Sequence, residues 1–274
     1  MTASTGRKFA RAPVTDLIWE RLQEEAQETL AREPQFATLL HLSVLEHASF
    51  EEAVIQRIAL RVEHPDLPAE GIRRAYREAL AADRAIGQAI RADIQAVFER
   101  DPAVNRYLEP LLYFKGFHAL QVHRLAHWLW SQGRYDFALY LQSRASEVLQ
   151  VDMHPAVPIG RGLFFDHATG IVVGETAVIE DDVSILQSVT LGGSGRQARD
   201  RHPKVRRGVL IGSGAKLIGN IEVGEGARIG AGSVVTDSVP PHKTVAGVPA
   251  RVIGAAGTAE PGRSMNQIFF DVGL

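Results

Sequence analysis

The amino-acid sequence predicts an α+β protein: an N-terminal α-helical domain, then a parallel β-helix, then a flexible C-terminal tail. Three observations lead to this prediction. Apolar residues recur at helical spacing over the first half of the chain, and helix formers give way to Gly, Val and Ile at Val151. From Ile159 to Val239 an apolar residue heads successive hexapeptides. A period of six fits a short strand plus a tight turn, repeated as in parallel β-helices.

The chain before the repeats is expected to form an α-helical domain over residues 14–150, preceded by a disordered lead at 1–13. The lead lacks an apolar core and is therefore not a signal peptide. A series of amphipathic helices joined by short links is expected in the domain. Thr15 and Ser49 are candidate N-caps for the first and third of these helices.

The β-helix is expected over residues 151–254, with glycine at many turn positions that need a positive φ. The count of six fails twice, by two residues near Ile171 and by eight residues within 191–205. A solenoid accommodates insertions as surface loops, and function is often found there. Residues 255–274 are predicted to be a flexible tail, whose apolar end either contacts a partner or packs back on its own domain.

Composition and charge exclude several classes of function. The 274 residues are 45% hydrophobic and 23% charged, as in ordinary globular proteins. A net charge of −2 gives no support for nucleic-acid binding. The chain has no apolar run of about 20 residues, so no membrane span is expected. It also has no cysteine, which excludes disulfide and thiolate chemistry and is compatible with a cytoplasmic location.

Three polar clusters adjoin the two breaks in the repeat. They are Asp152-Met153-His154-Pro155, Asp166-His167-Ala168-Thr169-Gly170 and Asp200-Arg201-His202-Pro203-Lys204. A histidine beside a carboxylate can act as a general base, because the carboxylate fixes its tautomer and orientation. His167 is the best candidate, with Asp152 about one coil earlier, and a purely structural hydrogen bond is the alternative. The basic insertion suits an anionic ligand, or else it forms a solvated loop.

Two histidine patterns raise the question of a metal site. His123 and His127 lie four residues apart on a predicted helix, but no HExxH pattern accompanies them. The histidines of the three clusters lack the close loop-side pair of β-helical zinc carbonic anhydrases. No metal site is therefore expected.

Seven segments carry a resemblance to a known family. They are Val151-Asp152-Met153-His154-Pro155, the run from Phe165 to Thr176, the run from Gln187 to Gly193, Asp200-Arg201-His202-Pro203-Lys204, Ala246-Gly247-Val248-Pro249-Ala250-Arg251, Asp93-Ile94-Gln95-Ala96-Val97 and the run from Leu111 to Gln121. On these segments the chain resembles bacterial serine O-acetyltransferases, from about residue 14 to 253. The hexapeptide pattern alone is shared by many acyltransferases and is specific only for the fold.

The resemblance implies a left-handed parallel β-helix, trimers formed through the β-helices, and hexamers formed by pairing of the helical domains. It implies transfer of acetyl from acetyl-CoA to the hydroxyl of L-serine, which gives O-acetyl-L-serine and CoA as the first step of cysteine biosynthesis. Acetyl-CoA is then a co-substrate, and no cofactor is bound permanently. L-cysteine is implied as a feedback inhibitor.

Residue by residue, the resemblance implies that His167 is the general base and that Asp152 holds its imidazole ring. The implied serine ligands are Asp93 and Asp166 for the ammonium group, and Arg201 and His202 for the carboxylate. Backbone N–H groups or His202 would stabilise the oxyanion. The implied coenzyme A groove is lined by Gly193, Ser213, Arg228, Ala231 and Arg251.

In the family the C-terminal tail commonly ends in isoleucine and binds O-acetylserine sulfhydrylase, and here the chain ends in Leu274. Two alternatives remain at this point. One is an acetyltransferase for another hydroxyl acceptor, homoserine or a sugar. The other is a protein that acts mainly as a regulatory partner of the sulfhydrylase. The implied serine ligands favour an amino-acid acceptor over a sugar, because a sugar has no charged groups for them to meet.

Overall fold

The computed structural model describes residues 16–195 and 199–267. Its first part is the helical domain that the sequence predicts. The α-helices of the described residues are α1 (Leu17–Arg32), α2 (Ala37–Leu40), α3 (Phe50–Val62), α4 (Ala69–Ala82), α5 (Arg84–Arg100), α6 (Leu108–Tyr113), α7 (Lys115–Ser131), α8 (Tyr135–Leu149) and α9 (Pro261–Ser264). A 3-10 turn at Pro34–Phe36 and a π-helical turn at His41–Leu45 flank α2. No helix among the described residues is long and apolar enough to cross a membrane.

Side-chain acceptors fix the starts of two long helices in the domain. Ser49 caps α3, as predicted, because its hydroxyl accepts the N–H of Glu52 at 3.3 Å. Asp16 caps α1 and accepts the N–H of Trp19 at 3.3 Å. The cap predicted for α1, Thr15, lies outside the described residues.

The second part is a parallel β-helix built from three sheets. Sheet A contains β1 (Val151–Met153), β3 (Ile171–Val173), β6 (Thr190–Gly192), β9 (Lys216–Ile218) and β12 (Val234–Val235). Sheet B contains β4 (Val178–Ile179), β7 (Lys204–Val205) and β10 (Glu222–Val223). Sheet C contains β2 (Phe164–Phe165), β5 (Ser184–Ile185), β8 (Leu210–Ile211), β11 (Arg228–Ile229), β13 (Lys243–Gly247) and β14 (Ala250–Ala255). The strands pair in parallel except β13 and β14, which form an antiparallel hairpin. The predicted fold class is thereby confirmed.

The strand registers give the length of each coil. In a regular coil a residue pairs with one 18 positions later, as Val172 does with Thr190. Phe164 pairs with a residue 20 positions later, and Val178 with a residue 26 positions later. The two insertions in the β-helix therefore lie where the count of six fails in the sequence.

The chain turns repeatedly at two corners that matter for function. At the C–A corner it passes from sheet C to sheet A, at residues 166–170, 186–189, 212–215 and 230–233. At the A–B corner it passes from sheet A to sheet B, at residues 174–177, at the described residues 193–195 and 199–203, and at residues 219–221. The two-residue insertion lies in the first C–A corner, and the eight-residue insertion lies in an A–B corner.

The helical domain closes the open end of the β-helix at its first coil. Buried polar side chains of α5 and α7 there satisfy backbone groups that no strand can reach. The contacts are His127 to the carbonyl of Pro155 (2.8 Å), His123 to that of Val157 (2.8 Å), Arg124 to that of Gly160 (2.8 Å), and Asp93 to the N–H of Leu163 (3.0 Å). An exposed strand edge invites pairing with another chain, and this end cap removes it. The apolar core runs from the helices into the β-helix without a break.

The segment 256–267 differs from the flexible linker that the sequence predicts over 255–264. It folds back along sheet C, where α9 packs on β8 and on α5. The N–H of Gly262 donates to a β-helix carbonyl at 2.9 Å, and its carbonyl accepts the hydroxyl of Ser184 at 2.5 Å. Glycine is required there, since an added Cβ would lie 2.3 Å from a backbone oxygen. The apolar end of the tail, residues 268–274, lies outside the described residues.

Candidate active site

A cavity of about 900 Å³ lies where the first C–A corner meets the helical domain. Four segments form its walls: the end of α5, the start of α7, the turn after β2 and the C-terminal segment. Three ionisable side chains at this cavity bear on acyl transfer, namely Asp101, Asp166 and His167. Two of them, Asp166 and His167, are predicted from the sequence.

His167 lies on a turn that exposes its ring. Strand β2 ends with the N–H of Asp166 bonded to the carbonyl of Ile185 at 2.9 Å. His167 and Ala168 then both adopt left-handed backbone conformations, with φ of 54° and 62°. The His167 side chain is 74% exposed, and its Nε2 lies 3.8 Å from Oδ1 of Asp166. The ring is thus free to meet a substrate beside a carboxylate.

Two carboxylates lie together at this corner. Burial raises the pKa of the Asp166 carboxyl, the nearby His167 opposes this effect, and Asp101 adds to it. Asp101 follows α5 directly, and its Oδ1 accepts the N–H of Ala103 at 2.9 Å. Sequence reasoning placed Asp101 only at the end of a helix and missed it as a site residue. Its position in an Asp-Pro pair just after an amphipathic helix was the available signal.

Asp93, predicted to bind the serine ammonium group, does not line this cavity. It is fully buried within the end cap, where it forms a 2.7 Å ion pair with Arg124. Gln121 donates to the same carboxylate at 3.1 Å, as does the N–H of Leu163 at 3.0 Å. All of its acceptor capacity is used inside the chain, so it has no surface to offer a substrate.

A second cluster surrounds His202 at the A–B corner. His202 is 6% exposed, and its Nδ1 accepts the N–H of Thr176 at 3.2 Å. The hydroxyl of Thr176 in turn accepts the N–H groups of Arg201 and His202 at 3.0 and 3.1 Å. Burial lowers the pKa of His202, with Arg201 as the next cause. The neutral ring therefore carries its proton on Nε2, which can donate to an anionic oxygen.

The remaining predicted residues gather around this second cluster. Arg201 donates to Glu175 at 2.8 Å. Asp152 accepts from Gln142 at 2.7 Å. Burial lowers the pKa of His154, and the charges of Glu175 and Asp152 oppose this effect. Asp152 therefore lies close enough to His154, just after β1, for its charge to act on that ring.

The expected contact between Asp152 and His167 is not formed within one chain. No hydrogen bond or ion pair joins the two side chains in the part of the chain that the structure describes. The predicted residues fall instead into two half-sites. The first half-site, at the C–A corner, contains Asp101, Asp166 and His167, and the second, at the A–B corner, contains Asp152, Arg201 and His202. The two corners are different edges of the β-helix, so one chain does not bring the half-sites together.

Two of the predicted coenzyme A residues, Ser213 and Ala231, lie on the same edge as His167. Successive C–A corners are joined by backbone hydrogen bonds of 2.8 Å from Ser188 to Thr169 and from Gly232 to Ser213. This stack forms a continuous edge that leads from the coil of Ala231 toward the base. A long thin ligand laid along it would reach His167.

The other three predicted coenzyme A residues lie in different surroundings. Gly193 adjoins His202 at the A–B corner, where an added Cβ would lie 3.0 Å from Nε2. Arg251 lies on the β13–β14 hairpin with its side chain 67% exposed. Arg228 is buried and donates to Thr244 at 3.3 Å and to the carbonyl of Asn266 at 3.1 Å. Arg228 thus holds the C-terminal segment against sheet C.

The same polar clusters also bear on metal binding. No group of three or more His, Cys, Asp or Glu side chains with metal-binding geometry occurs in residues 16–195 and 199–267. His123 and His127 each bond to a backbone carbonyl of the first coil. These two rings serve the end cap.

Comparison with known proteins identifies the family. The model of the serine acetyltransferase N-terminal domain matches residues 18–122, and that of the bacterial transferase hexapeptide repeats matches residues 202–237. A serine acetyltransferase from Salmonella typhimurium is 54% identical over 254 residues, which cover 93% of each chain. The chain belongs to the serine acetyltransferase family.

Two solved structures of the family are close in shape. A serine acetyltransferase from Brucella abortus, in complex with coenzyme A, has a TM-score of 0.88 and 56% identity, covering 89% of this chain and 97% of its own. A serine acetyltransferase in complex with cysteine has a TM-score of 0.90 and 50% identity, covering 92% of this chain and 98% of its own. The likeness therefore includes both the helical domain and the β-helix.

The two half-sites supply what a serine acetyltransferase needs. Asp101 and Asp166 offer negative charge for an ammonium group, and Arg201 offers a guanidinium for a carboxylate. His167 offers an exposed imidazole as a base, and His202 offers an N–H donor. A hydroxy amino acid held between the half-sites would meet the carboxylates, the guanidinium, the imidazole base and the N–H donor.

Proposed function

We infer that this chain transfers the acetyl group of acetyl-CoA to the hydroxyl of L-serine, giving O-acetyl-L-serine and CoA. This reaction is the first step of cysteine biosynthesis from serine. The observation that carries the inference is the first C–A corner, where the exposed ring of His167 lies beside the half-buried carboxyl of Asp166 at a cavity. Acetyl-CoA acts as a co-substrate, and no permanently bound cofactor takes part.

The chemistry is a direct transfer within a ternary complex. The imidazole of His167 takes the proton of the serine hydroxyl while the hydroxyl oxygen forms a bond to the thioester carbonyl carbon. The carbonyl oxygen then carries negative charge, which Nε2–H of His202 stabilises by donating to it. Collapse of this intermediate breaks the carbon–sulfur bond, and the leaving thiolate receives the proton from His167. The ring is thereby restored for the next turnover.

Serine recognition uses opposite charges at the two half-sites. Its ammonium group binds Asp166 and Asp101 in the first half-site. Its carboxylate binds Arg201 in the second, beside the ring of His202. Asp101 thus takes the role that the family resemblance implies for Asp93, because the carboxylate of Asp93 is already hydrogen-bonded within the end cap.

Assembly follows from the separation of the half-sites. A complete site requires the C–A corner of one copy to face the A–B corner of a neighbour, and a closed ring of β-helices does this three times. Asp152 of the neighbour then reaches the ring of His167. We propose trimers through the β-helices and hexamers through the helical domains, as the family resemblance implies.

The assembly can be tested with two inactive variants, His167→Ala and His202→Ala. Co-expressed and randomly mixed, they should regain about a quarter of the wild-type sites, because some interfaces then pair two intact half-sites. Each variant alone should stay inactive with an unchanged sedimentation coefficient. Absence of any recovery in verified mixed oligomers would refute the shared site.

The function itself is tested by thiol release from acetyl-CoA with a panel of acceptors: L-serine, L-homoserine and a galactoside. Turnover should be fastest with L-serine, because both charged groups and the hydroxyl then match the half-sites. A galactoside should be at least about 100-fold slower, since it leaves buried charged groups unpaired. No turnover with L-serine would refute the proposed function.

The coenzyme A groove is proposed along the stacked C–A corners, with Ser213 and Ala231 next to the pantetheine arm. Gly193 lies near the reacting end of the ligand, and the exposed Arg251 faces its phosphates. Arg228 contributes indirectly by holding the C-terminal segment. An Arg251→Ala variant should raise the KM for acetyl-CoA and leave the KM for L-serine unchanged.

L-cysteine is proposed as a competitive inhibitor at the serine site. Its ammonium and carboxylate groups match those of L-serine, and its thiol replaces the hydroxyl. The cysteine complex of a close family member supports this assignment. Inhibition that L-serine cannot relieve would contradict it.

Two further proposals concern the surroundings of the enzyme. We propose that the tail ending in Leu274 binds O-acetylserine sulfhydrylase, which deletion of residues 265–274 should abolish in a pull-down with the purified partner. We also propose a cytoplasmic location, where acetyl-CoA is available, and cell fractionation tests it.

Two alternative functions have distinct outcomes. An acetyltransferase for another hydroxyl acceptor would show a changed acceptor preference. A chiefly regulatory partner of the sulfhydrylase would bind that enzyme without turnover of its own.

A further inference from the structure

The turn that carries His167 is held in an unfavourable backbone shape. His167 and Ala168 are successive non-glycine residues with positive φ, at 54° and 62°. Each such residue is strained and persists only where its surroundings enforce this backbone conformation. Part of that enforcement is local, since the N–H of Thr169 donates to the carbonyl of His167 at 2.8 Å. The ring itself is largely exposed and contributes little packing.

The start of α7 presses on this turn from the helical domain. Strand β2 is the edge of sheet C, and its last residue, Phe165, packs closely against Gly116 of α7. A Cβ added at Gly116 would lie 2.0 Å from the carbonyl oxygen of Phe165 and 3.0 Å from its carbonyl carbon. Only glycine allows the helix to approach the strand so closely, two residues before the base.

Lys115 completes the contact on the other side of the turn. Its ammonium group donates to the hydroxyl of Thr169, and also to Oε1 of Gln150 at 3.0 Å. Gln150 is the left-handed cap of α8, and its carbonyl accepts the N–H of Gly170 at 2.8 Å. Lys115, Gln150 and Thr169 thus tie α7, the end of α8 and the turn together.

We propose that Lys115 is a positioning residue for the general base, holding the His167 turn in its catalytic shape through Thr169. The inference rests on the proposed function in one respect, that His167 is the base. Its physical reason is that a charge-assisted hydrogen bond to Thr169 fixes the strained turn only two residues beyond the ring. A displacement of a reacting group by about 1 Å can cost about 100-fold in rate.

The test compares Lys115→Met with two substitutions of its acceptor, Thr169→Val and Thr169→Ser. Lys115→Met and Thr169→Val should each lower kcat by about 10-fold to 100-fold and leave the KM for acetyl-CoA within about two-fold. Thr169→Ser keeps the hydroxyl and should keep more than about half of kcat. The double variant should be no slower than the slower single variant, because both remove the same interaction. Lys243→Met, an exposed lysine on β13, is the matched control and should retain full activity.

A measurement independent of turnover separates this proposal from the proposed function. Amide hydrogen exchange of the peptide 164–172 should accelerate in Lys115→Met, while exchange in the rest of the β-helix stays unchanged. If the wild-type protein does not acetylate L-serine, the proposed function is refuted, and the hydrogen exchange of residues 164–172 still tests whether Lys115 holds the turn. Three results would overturn the positioning role: wild-type kcat in Lys115→Met, equal losses in Thr169→Ser and Thr169→Val, or unchanged exchange of the turn.

Discussion

At the scale of single residues, the ring of His202 occupies space that only glycine leaves open. An added Cβ at Gly174 would lie 1.9 Å from Nε2 of His202. The contact is with the far end of a side chain, so the ring would move and the backbone would stay. The N–H donor of His202, proposed to stabilise the oxyanion, would then be displaced.

Gly174→Ala should therefore lower kcat/KM for L-serine by about 10-fold to 1000-fold, because loss of one oxyanion donor costs that much. The melting temperature should fall by only a few degrees. Gly254→Ala is the control, because nothing lies within 4 Å of a Cβ built there. Equal kinetics in the two variants would mean that His202 takes no part.

A second residue-scale prediction concerns the pH dependence of serine binding. Burial raises the pKa of Asp166, so its carboxyl is neutralised at a higher pH than that of an ordinary aspartate. Serine affinity, measured by calorimetry without acetyl-CoA, should weaken as pH falls through that range, since the ammonium group loses its partner. Asp166→Asn should bind weakly at every pH, and a wild-type affinity that is flat down to pH ~4 would contradict the assignment.

The aspartates of α5 show the limit of sequence reasoning at this scale. Asp93 lies within α5 and Asp101 directly after it, and a family resemblance favoured Asp93 as the substrate ligand. Only the structure shows that Asp93 points into the end cap and Asp101 toward the cavity. Which face a carboxylate takes depends on how α5 packs on the first coil, and a linear sequence does not state that packing. His167 could be found because it lies at a break in the repeat.

At the scale of elements, one carboxylate joins the C-terminal segment to both domains. Asp182 accepts from Arg100 at the end of α5 (3.2 Å), from Arg207 in the β-helix (3.4 Å) and from Arg263 of α9 (3.1 Å). Its side chain is mostly buried, so these ion pairs are poorly screened. The helical domain, the β-helix and the returning segment thus share a single anchor.

Asp182→Asn should loosen α9, because two or more guanidinium groups lose their counter-charge. Asparagine tolerates the positive φ of 59° at this position, so the backbone turn is preserved. Trypsin should then cut after Arg263 several-fold faster than in the wild type. Glu260→Gln, which removes only an exposed partner of Arg263, is the control, and equal cleavage rates would contradict the anchor.

The regular helices and coils could be predicted from the sequence, and the fold of the segment 256–267 could not. Hexapeptide counting located both insertions to within a few residues, because each coil repeats the same side-chain pattern. The sequence also predicts helices over residues 115–130 and 135–149, close to α7 and α8, whereas the short α6 has too few turns to show a period. The segment 256–267 is rich in Gly and Pro, and such composition is shared by linkers and by chains that pack closely on a neighbour. The glycine at 262 serves the second purpose.

At the scale of the whole molecule, buried histidines couple stability to pH. Burial lowers the pKa of both His118 and His123 from 6.5 to about 3. The folded state keeps both neutral while the unfolded chain takes up protons below about pH 6.5, so the free energy of unfolding falls as pH falls toward 3. Each ring contributes up to about 1.4 kcal/mol per pH unit. The buried carboxyls Asp93 and Glu25, whose pKa values burial raises, act in the opposite direction nearer pH 4.

His123→Gln isolates this effect, because glutamine can still donate to the carbonyl of Val157. Urea unfolding between pH 7 and 5 should show a slope that is shallower by about 1 kcal/mol per pH unit in the variant. The variant is expected to have a lower free energy of unfolding at pH 7. This constant difference does not change the slope of the free energy against pH. Parallel pH profiles of the two proteins would contradict the assignment of His123 as a buried neutral group.

The regular coil of 18 residues has a geometric consequence for the whole molecule. One coil adds about 4.8 Å along the axis, so a gain or loss of a whole coil changes the molecule's height and leaves each edge in line. A gain or loss of six residues instead turns everything beyond it by a third of a revolution. Ser213 and Ala231 would then face away from the edge that holds His167. Natural length variants of this β-helix should therefore differ by whole coils, or by loops at a corner, and almost never by single hexapeptides.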